Sequence, residues 1–262
     1  MNIMEKILNS YKFYITTAIA VLLMITTLIS VGFGALNQNL NIAGDVEYKL
    51  DESNMIRKYD TYENSNFHSS TYIEKIKTVD FLDNNNIPNN AVASWNVSKN
   101  SNGKVRAWII DDPNNTGYYK LYIGANGDVV ANPISSYIFY GLLELETINF
   151  NNNFDTSRVT NMSGMFKFDN YGIFNSDINI HKLKQINGFE YFDTSNVTNM
   201  SRMFYSCNTM RQIRISSLWN ISSVTNSSYM FYACTKLPNF NSSYTDASRA
   251  KPTTQGGYLT LV

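Results

Sequence analysis

Phe192-Asp-Thr-Ser-Asn-Val-Thr-Asn-Met-Ser-Arg-Met-Phe-Tyr-Ser-Cys207 decides how the rest of the chain is read, because it recurs. An upstream copy runs Phe154-Asp-Thr-Ser-Arg-Val-Thr-Asn-Met-Ser-Gly-Met-Phe166. A more diverged downstream copy runs Trp219-Asn-Ile-Ser-Ser-Val-Thr-Asn-Ser-Ser-Tyr-Met-Phe-Tyr-Ala-Cys234. Half a copy precedes them at Ser136-Tyr-Ile-Phe139-Tyr140. Aligned on Phe139, Phe166, Phe204 and Phe231, the copies are spaced by 27, 38 and 27 residues. Leu145-x-x-Ile148 before Phe154 recurs as Leu183-x-x-Ile186 before Phe192 and Met210-x-x-Ile213 before Trp219, and a last partial copy begins Leu237-x-x-Phe240. The long interval is therefore one 27-residue unit plus an 11-residue insertion within 167–181.

A period of this length predicts a solenoid in which each unit cannot bury its apolar face alone. Leu145-x-x-Ile148-x-Phe150-x-x-Asn153 fits the leucine-rich-repeat pattern. Each unit is expected to lay one short strand about 4.8 Å from its predecessor. Its Val-Thr-Asn-Met-Ser-x-Met-Phe segment would return as a short helix, with Phe, Met and Cys stacked in columns.

Upstream, Lys104–Ile110 and Tyr118–Ile123 read as antiparallel strands. Asn126-Gly127 before Val129–Ala131 reads as a further hairpin, since both turn residues tolerate positive φ. Tyr72–Leu82 alternates as a strand does, though it could open as a short helix. Residues 13–36 are 24 uncharged residues, with Lys6 and Lys12 before them and Asp45 and Glu47 after. Such a run is expected to cross a membrane as a helix, with the amino terminus inside, or to be a signal cut near Gly34-Ala35.

The expected fold class is thus α+β and β-rich. It comprises a leucine-rich-repeat solenoid of about three and a half repeats, a small antiparallel β cap and one N-terminal transmembrane helix. The expected divisions are 1–36 (anchor or signal), 37–66 (stalk), 67–135 (cap), 136–245 (solenoid) and 246–262 (tail). The expected localisation is single-pass in the cell membrane with the repeats outside, or secreted if the signal is cut.

The 21 basic and 21 acidic residues balance, which gives no reason to expect a nucleic-acid partner. Two cysteines and two histidines are too few for a disulfide scaffold or a zinc site. No cofactor, metal or catalytic motif is expected; His68 and His181 stand apart from any nucleophile.

At the repeats the sequence resembles the BspA family of bacterial leucine-rich-repeat surface proteins, whose unit reads roughly Phe-Asp-Thr-Ser-Asn-Val-Thr-Asn-Met-Ser-x-Met-Phe-x-x-Cys. Ser94–Ser98, Leu121–Gly124 and Ala131–Gly141 resemble that family's entry region. Two letters depart from the pattern: Asp169 stands where Cys is expected, and Ser227 replaces Met. The resemblance implies a non-enzymatic protein that binds or adheres to protein or glycan partners. A structural scaffold and an unrecognised hydrolase within 67–135 stand as alternatives.

The candidate ligand face comprises the strand residues between the buried ones: Thr147, Asn149, Gln185, Asn187, Gln212, Arg214 and Asn241. Cys207 and Cys234, one turn apart, are either a disulfide between turns or two buried thiols. Asn161, Asn199 and Asn226 are expected to pair backbone groups at each bend rather than bind calcium or carry a glycan. Thr160, Thr198 and Thr225 are expected to serve the same bend. Asp111, Asp112 and Asp128 lack calcium-loop spacing and read as turn residues. Tyr118, Tyr119, Tyr122, Tyr137 and Tyr140 could form an aromatic ligand surface or pack inward.

Overall fold

A computed structural model of the chain describes residues 51–59, 71–167 and 182–262. The expected anchor at 13–36, most of the 37–66 stalk, the insertion beyond Lys167, and His68 and His181 lie outside them. The strands in chain order are β1 (Ile76–Leu82), β2 (Ala93–Asn96), β3 (Arg106–Asp111), β4 (Tyr119–Gly124), β5 (Val129–Val130), β6 (Thr147–Asn149), β7 (Phe154–Asp155), β8 (Gln185–Asn187), β9 (Arg214–Ile215) and β10 (Thr260–Leu261). One 3₁₀ turn, Ile73–Lys75, precedes β1.

The main sheet has the order β2-β3-β4-β1-β6-β8. Its β2-β3-β4 half is antiparallel, whereas β1 runs parallel to both β4 and β6, and β6 runs parallel to β8. An irregularity in β1 between Ile76 and Thr78 resets the alternation, so Ile76, Val79 and Phe81 are all buried. β1 thereby joins the antiparallel region to the repeat stack, with Val79 beside Ile148 and Ile148 beside Ile186.

The expected hairpin at Asn126-Gly127 is corrected. Gly127 does take a positive φ of 90°, but its N–H donates to Asp83 O. The chain then leaves the sheet, and β5 pairs in parallel with β7 of the first full repeat.

A second parallel ladder runs along the bends, through Ile134, Asn161, Asn199 and Asn226. Each Asn spends its side chain within its own turn. The Oδ1 atoms of Asn161, Asn199 and Asn226 accept from the N–H groups of Ser163 (2.9 Å), Ser201 (3.0 Å) and Ser228 (3.2 Å). The threonines link one turn to the next: the Oγ1 groups of Thr160, Thr198 and Thr225 donate to Pro133 O, Thr160 O and Thr198 O at 3.1–3.2 Å. Asp155, Asp193 and Asn220 form a parallel series, accepting from Ser157, Ser195 and Ser222. Asp246 accepts from Ser248 in the same way, which marks Asp246-Ala-Ser248 as a further, eroded copy of Asp-Thr-Ser.

Inside, the four aligned phenylalanines form one column. Phe139 and Phe166 stack at 5.6 Å, Phe166 and Phe204 at 5.2 Å, and Phe204 and Phe231 at 5.6 Å, with planes within 12° of parallel. Phe81 closes one end edge-on at 6.4 Å and Tyr258 the other at 5.4 Å. Met162, Met165, Met200, Met203 and Met230 are fully buried around this column.

The expected fold class is overturned on its helical part. Among the described residues there is no α-helix, only strands, turns and short 3₁₀ segments, so the structure is β-rich rather than α+β with a leucine-rich-repeat helical arm. The repeated Val-Thr-Asn-Met-Ser-x-Met-Phe segment is a run of turns for two reasons. Its Asn and Thr side chains bond to backbone groups that a helix would use. Each copy of this segment also contains a left-handed residue: Tyr137 (φ 57°), Gly164 (59°), Arg202 (55°) and Tyr229 (57°), a conformation no helix interior accommodates. The transmembrane helix and the single-pass localisation are corrected as well. No helix among the described residues is long and apolar enough to cross a membrane, and residues 13–36 lie outside them.

Cys207 and Cys234 are free, buried thiols and not a disulfide. Each Sγ donates to the backbone of the preceding turn, Cys207 to Phe166 O (3.3 Å) and Cys234 to Phe204 O (2.9 Å). Burial pushes both thiols well above the ordinary range, and for Cys207 the neighbouring Cys234 adds to the effect. Neither carries thiolate at neutral pH, and thiolate is the reactive form. Both cysteines are therefore expected to resist an aromatic disulfide reagent in the native protein and to react together on unfolding. Thiol titration with and without denaturant checks this.

Candidate functional site

The sheet buries one face and presents the other. Val79, Leu121, Ile148 and Ile186 are buried, so their neighbours Thr78, Asp80, Lys120, Tyr122, Thr147, Asn149, Gln185 and Asn187 form the outer surface. Parallel register sets these residues in rows, one of which runs Tyr122, Asp80, Asn149, Asn187. Within it, Asn187 Nδ2 donates to Asn149 Oδ1, and Asn149 Nδ2 donates to Asp80 Oδ1, both at 2.7 Å. The two amides are thus locked in one orientation, and the row ends on a carboxylate. Trp108 stacks on Tyr122 at 5.7 Å and 12°.

Burial raises the Asp80 carboxyl above the usual range, more than its bond from Asn149 and the nearby Lys120 lower it. Burial likewise raises the Tyr122 phenol, with a contribution from Asp80. A raised carboxyl pKa means that the folded state disfavours the ionised form. The resulting cost is absent below the unfolded value and fully present above the folded one. Asp80→Asn keeps an acceptor for Asn149 and is expected to raise the melting temperature at neutral pH. That advantage should vanish as pH falls below the ordinary carboxylate range. Thermal unfolding of both proteins across acid to neutral pH checks the sign.

Beside this row lies a rail of alternating charge. Lys77 reaches Glu146 at 2.8 Å and Glu144 at 3.2 Å, and on the next turn Lys182 pairs with Glu144 and Lys184 with Glu146. The bonds to Lys184 and Lys77 hold Glu146 below the usual range, and the bond to Glu146 raises Lys77. These pairs are partly exposed and contribute modestly each, but they fix the register of three adjacent strands.

Of the seven candidate residues, Thr147, Asn149, Gln185 and Asn187 share this one face. Gln212 and Arg214 stand on the following turn, where β9 pairs with β10 rather than β8; Arg214 reaches Glu190 at 3.4 Å. Asn241 is not on a strand. It occupies a bend whose N–H and carbonyl both bond to Tyr258 Oη. Thr260 takes the place beside Arg214 that Asn241 was expected to hold near the end of the stack.

Asp80 was not among the sequence candidates, and Tyr122 stood only among the tyrosines of a possible aromatic surface. The alternation of Tyr72–Leu82 carried the signal for Asp80, but nothing in it says which strand neighbours β6. Asp112, one of the proposed turn aspartates, accepts from Asn114 N–H and Asn115 Nδ2, as a turn residue does. No group of three or more His, Cys, Asp or Glu among the described residues could hold a metal ion.

Fold and face together define a β-rich stack of repeated turns with a flat polar surface. Residues 136–255 match the family described as Mycoplasma protein of unknown function, DUF285. The match spans all the repeat copies and reaches past Asp246, in keeping with the eroded copy there. No curated protein and no solved structure matches the chain.

Proposed function

We propose that the chain is a non-enzymatic binding module that attaches to a protein or glycan partner through the outer face of its strands. The observation that carries this reading is the Asn187–Asn149–Asp80 row. Amides held in a fixed orientation on a rigid sheet lose little side-chain entropy when a ligand replaces their water. The resemblance to BspA surface proteins, whose implied role is adhesion, supports the same reading.

The test is retention of the purified chain on arrays of matrix proteins and glycans, compared with a variant carrying Asn149→Glu, Asn187→Glu and Arg214→Glu. Loss of a ligand that the unaltered chain retains supports the proposal. Unchanged retention, or no retained ligand at all, refutes it.

A second reading, a rigid spacer within a larger assembly, is favoured by the aromatic column that runs unbroken from Phe81 to Tyr258. It predicts no retained ligand and indifference to all three substitutions.

A further inference from the structure

The chain is neutral overall, but its charges are not evenly spread. Between Asp193 and Asp246 there is no acidic residue, whereas Arg202, Arg211, Arg214 and Lys236 all fall in that interval. The acids that flank the stack are engaged: Asp80 within the polar row, Glu144 and Glu146 in lysine pairs, Glu190 beside Arg214, and Asp155, Asp193 and Asp246 at bends where each accepts a backbone N–H two residues on. Arg202 stands exposed at one of the bends on the other side.

The left-handed residues of those bends form a ridge. Gly164 N–H donates to Ser201 O, and Arg202 N–H donates to Ser228 O, so Gly164, Arg202 and Tyr229 follow one another by single turns. Arg202 lies over the Tyr229 ring at 5.7 Å, and Lys167 lies over Tyr205 at 5.2 Å. Tyr205 stacks on Tyr232 at 4.8 Å, and Tyr229 meets Tyr232 edge-on at 6.0 Å. Arg202 is exposed, while Tyr229 and Tyr232 keep 51% and 41% of their surface in water, a large exposure for side chains that apolar burial would favour.

This arrangement selects among partners. Cations lie over the rings of Tyr205 and Tyr229, and Tyr232 is stacked on Tyr205, so part of the ring surface that a sugar or base would stack on is already engaged. What the ridge presents outward are guanidinium and phenol hydrogen-bond donors at one-turn intervals. Donors of that kind match carboxylates.

We propose that this ridge, centred on Arg202, Tyr229 and Tyr232, docks an extended acidic segment of a partner protein. The inference does not rest on the strand-face reading, because the two surfaces share no residue.

The experiment measures binding of a fluorescent glutamate-rich peptide to the full chain by anisotropy, at low and high salt. Neutral oligosaccharide and single-stranded oligonucleotide probes are run alongside. Binding of the peptide that weakens with salt, falls about tenfold in Arg202→Glu and falls less in Tyr229→Phe is the expected result. Arg202 and Tyr229 are exposed, and a matching melting temperature shows that the variants fold. Asn187→Glu on the strand face should leave peptide binding unchanged, which separates this site from the other. Equal peptide affinity in Arg202→Glu, absence of peptide binding at low salt, or preferential binding of the sugar or the oligonucleotide would overturn the proposal.

Discussion

Replacing Phe166 with Ala is expected to cost about 3–5 kcal/mol, a large part of the stability of an ordinary domain. Phe166 is fully buried and sits at the middle of the column, stacked on Phe139 at 5.6 Å and on Phe204 at 5.2 Å. It also meets Phe150 and Phe189 edge-on at 6.5 and 6.0 Å. Truncation removes the transfer energy of the ring and leaves a cavity between rings held in place by backbone ladders on both sides of the stack, so collapse is restricted. Each aromatic pair adds about 0.5–1.5 kcal/mol beyond its area. Chemical denaturation followed by tyrosine and tryptophan fluorescence measures the change. A midpoint shift of less than about 1 kcal/mol would show that the column is not the element that holds the turns together.

Tyr258→Ala is expected to cost about as much, roughly 3–5 kcal/mol, but for two separable reasons. The ring closes the column edge-on against Phe231 and packs on Phe240 at 5.8 Å. The hydroxyl accepts from Asn241 N–H at 3.0 Å and lies 2.8 Å from the Tyr244 carbonyl. Tyr258→Phe keeps the ring and removes the partner of those part-buried backbone groups, at about 0.5–1.5 kcal/mol. The difference between the two variants, measured by the same denaturation, isolates the apolar share. Similar losses in both would assign the cap to its hydrogen bonds alone.

Much of this fold was legible because the repeats carry two different signals. The apolar letters tell what lies inside: the spacing of Phe139, Phe166, Phe204 and Phe231 predicts the column that these rings form. The polar letters fixed the bends, although how they act was not apparent. Asn161 and its equivalents were expected to pair backbone groups, and they do so within one turn, while threonine hydroxyls and the backbone span the gap.

The errors have physical causes too. A run such as Val-Thr-Asn-Met-Ser-x-Met-Phe has a helix-like spacing of large residues. Local side-chain bonds and a left-handed residue within each copy of the run outweigh that spacing, and sequence alone does not reveal Arg202 and Tyr229 as left-handed. The Asn126-Gly127 turn formed, but β5 found a partner in β7 because pairing there is decided by the next repeat.

On the face, Thr147, Asn149, Gln185 and Asn187 were found from alternation. Asp80 was not, because its role depends on β1 and β6 being neighbours across almost seventy residues of chain. Asn241 was misplaced because the last strand of the stack comes from Thr260–Leu261, where the repeat letters have eroded.

The aromatic column has one more consequence, for how such a chain changes over generations. Each ring presents much the same surface to the ring above as to the ring below, so Phe166 would meet Phe231 much as it meets Phe204. Loss or duplication of a whole 27-residue unit preserves every column at once, whereas loss of one residue shifts Phe, Met, Thr and Asn out of line together. Length in this architecture is therefore inherited in whole turns. The natural unit of variation is the repeat, and the side chains between its columns are where one unit is free to differ from the next.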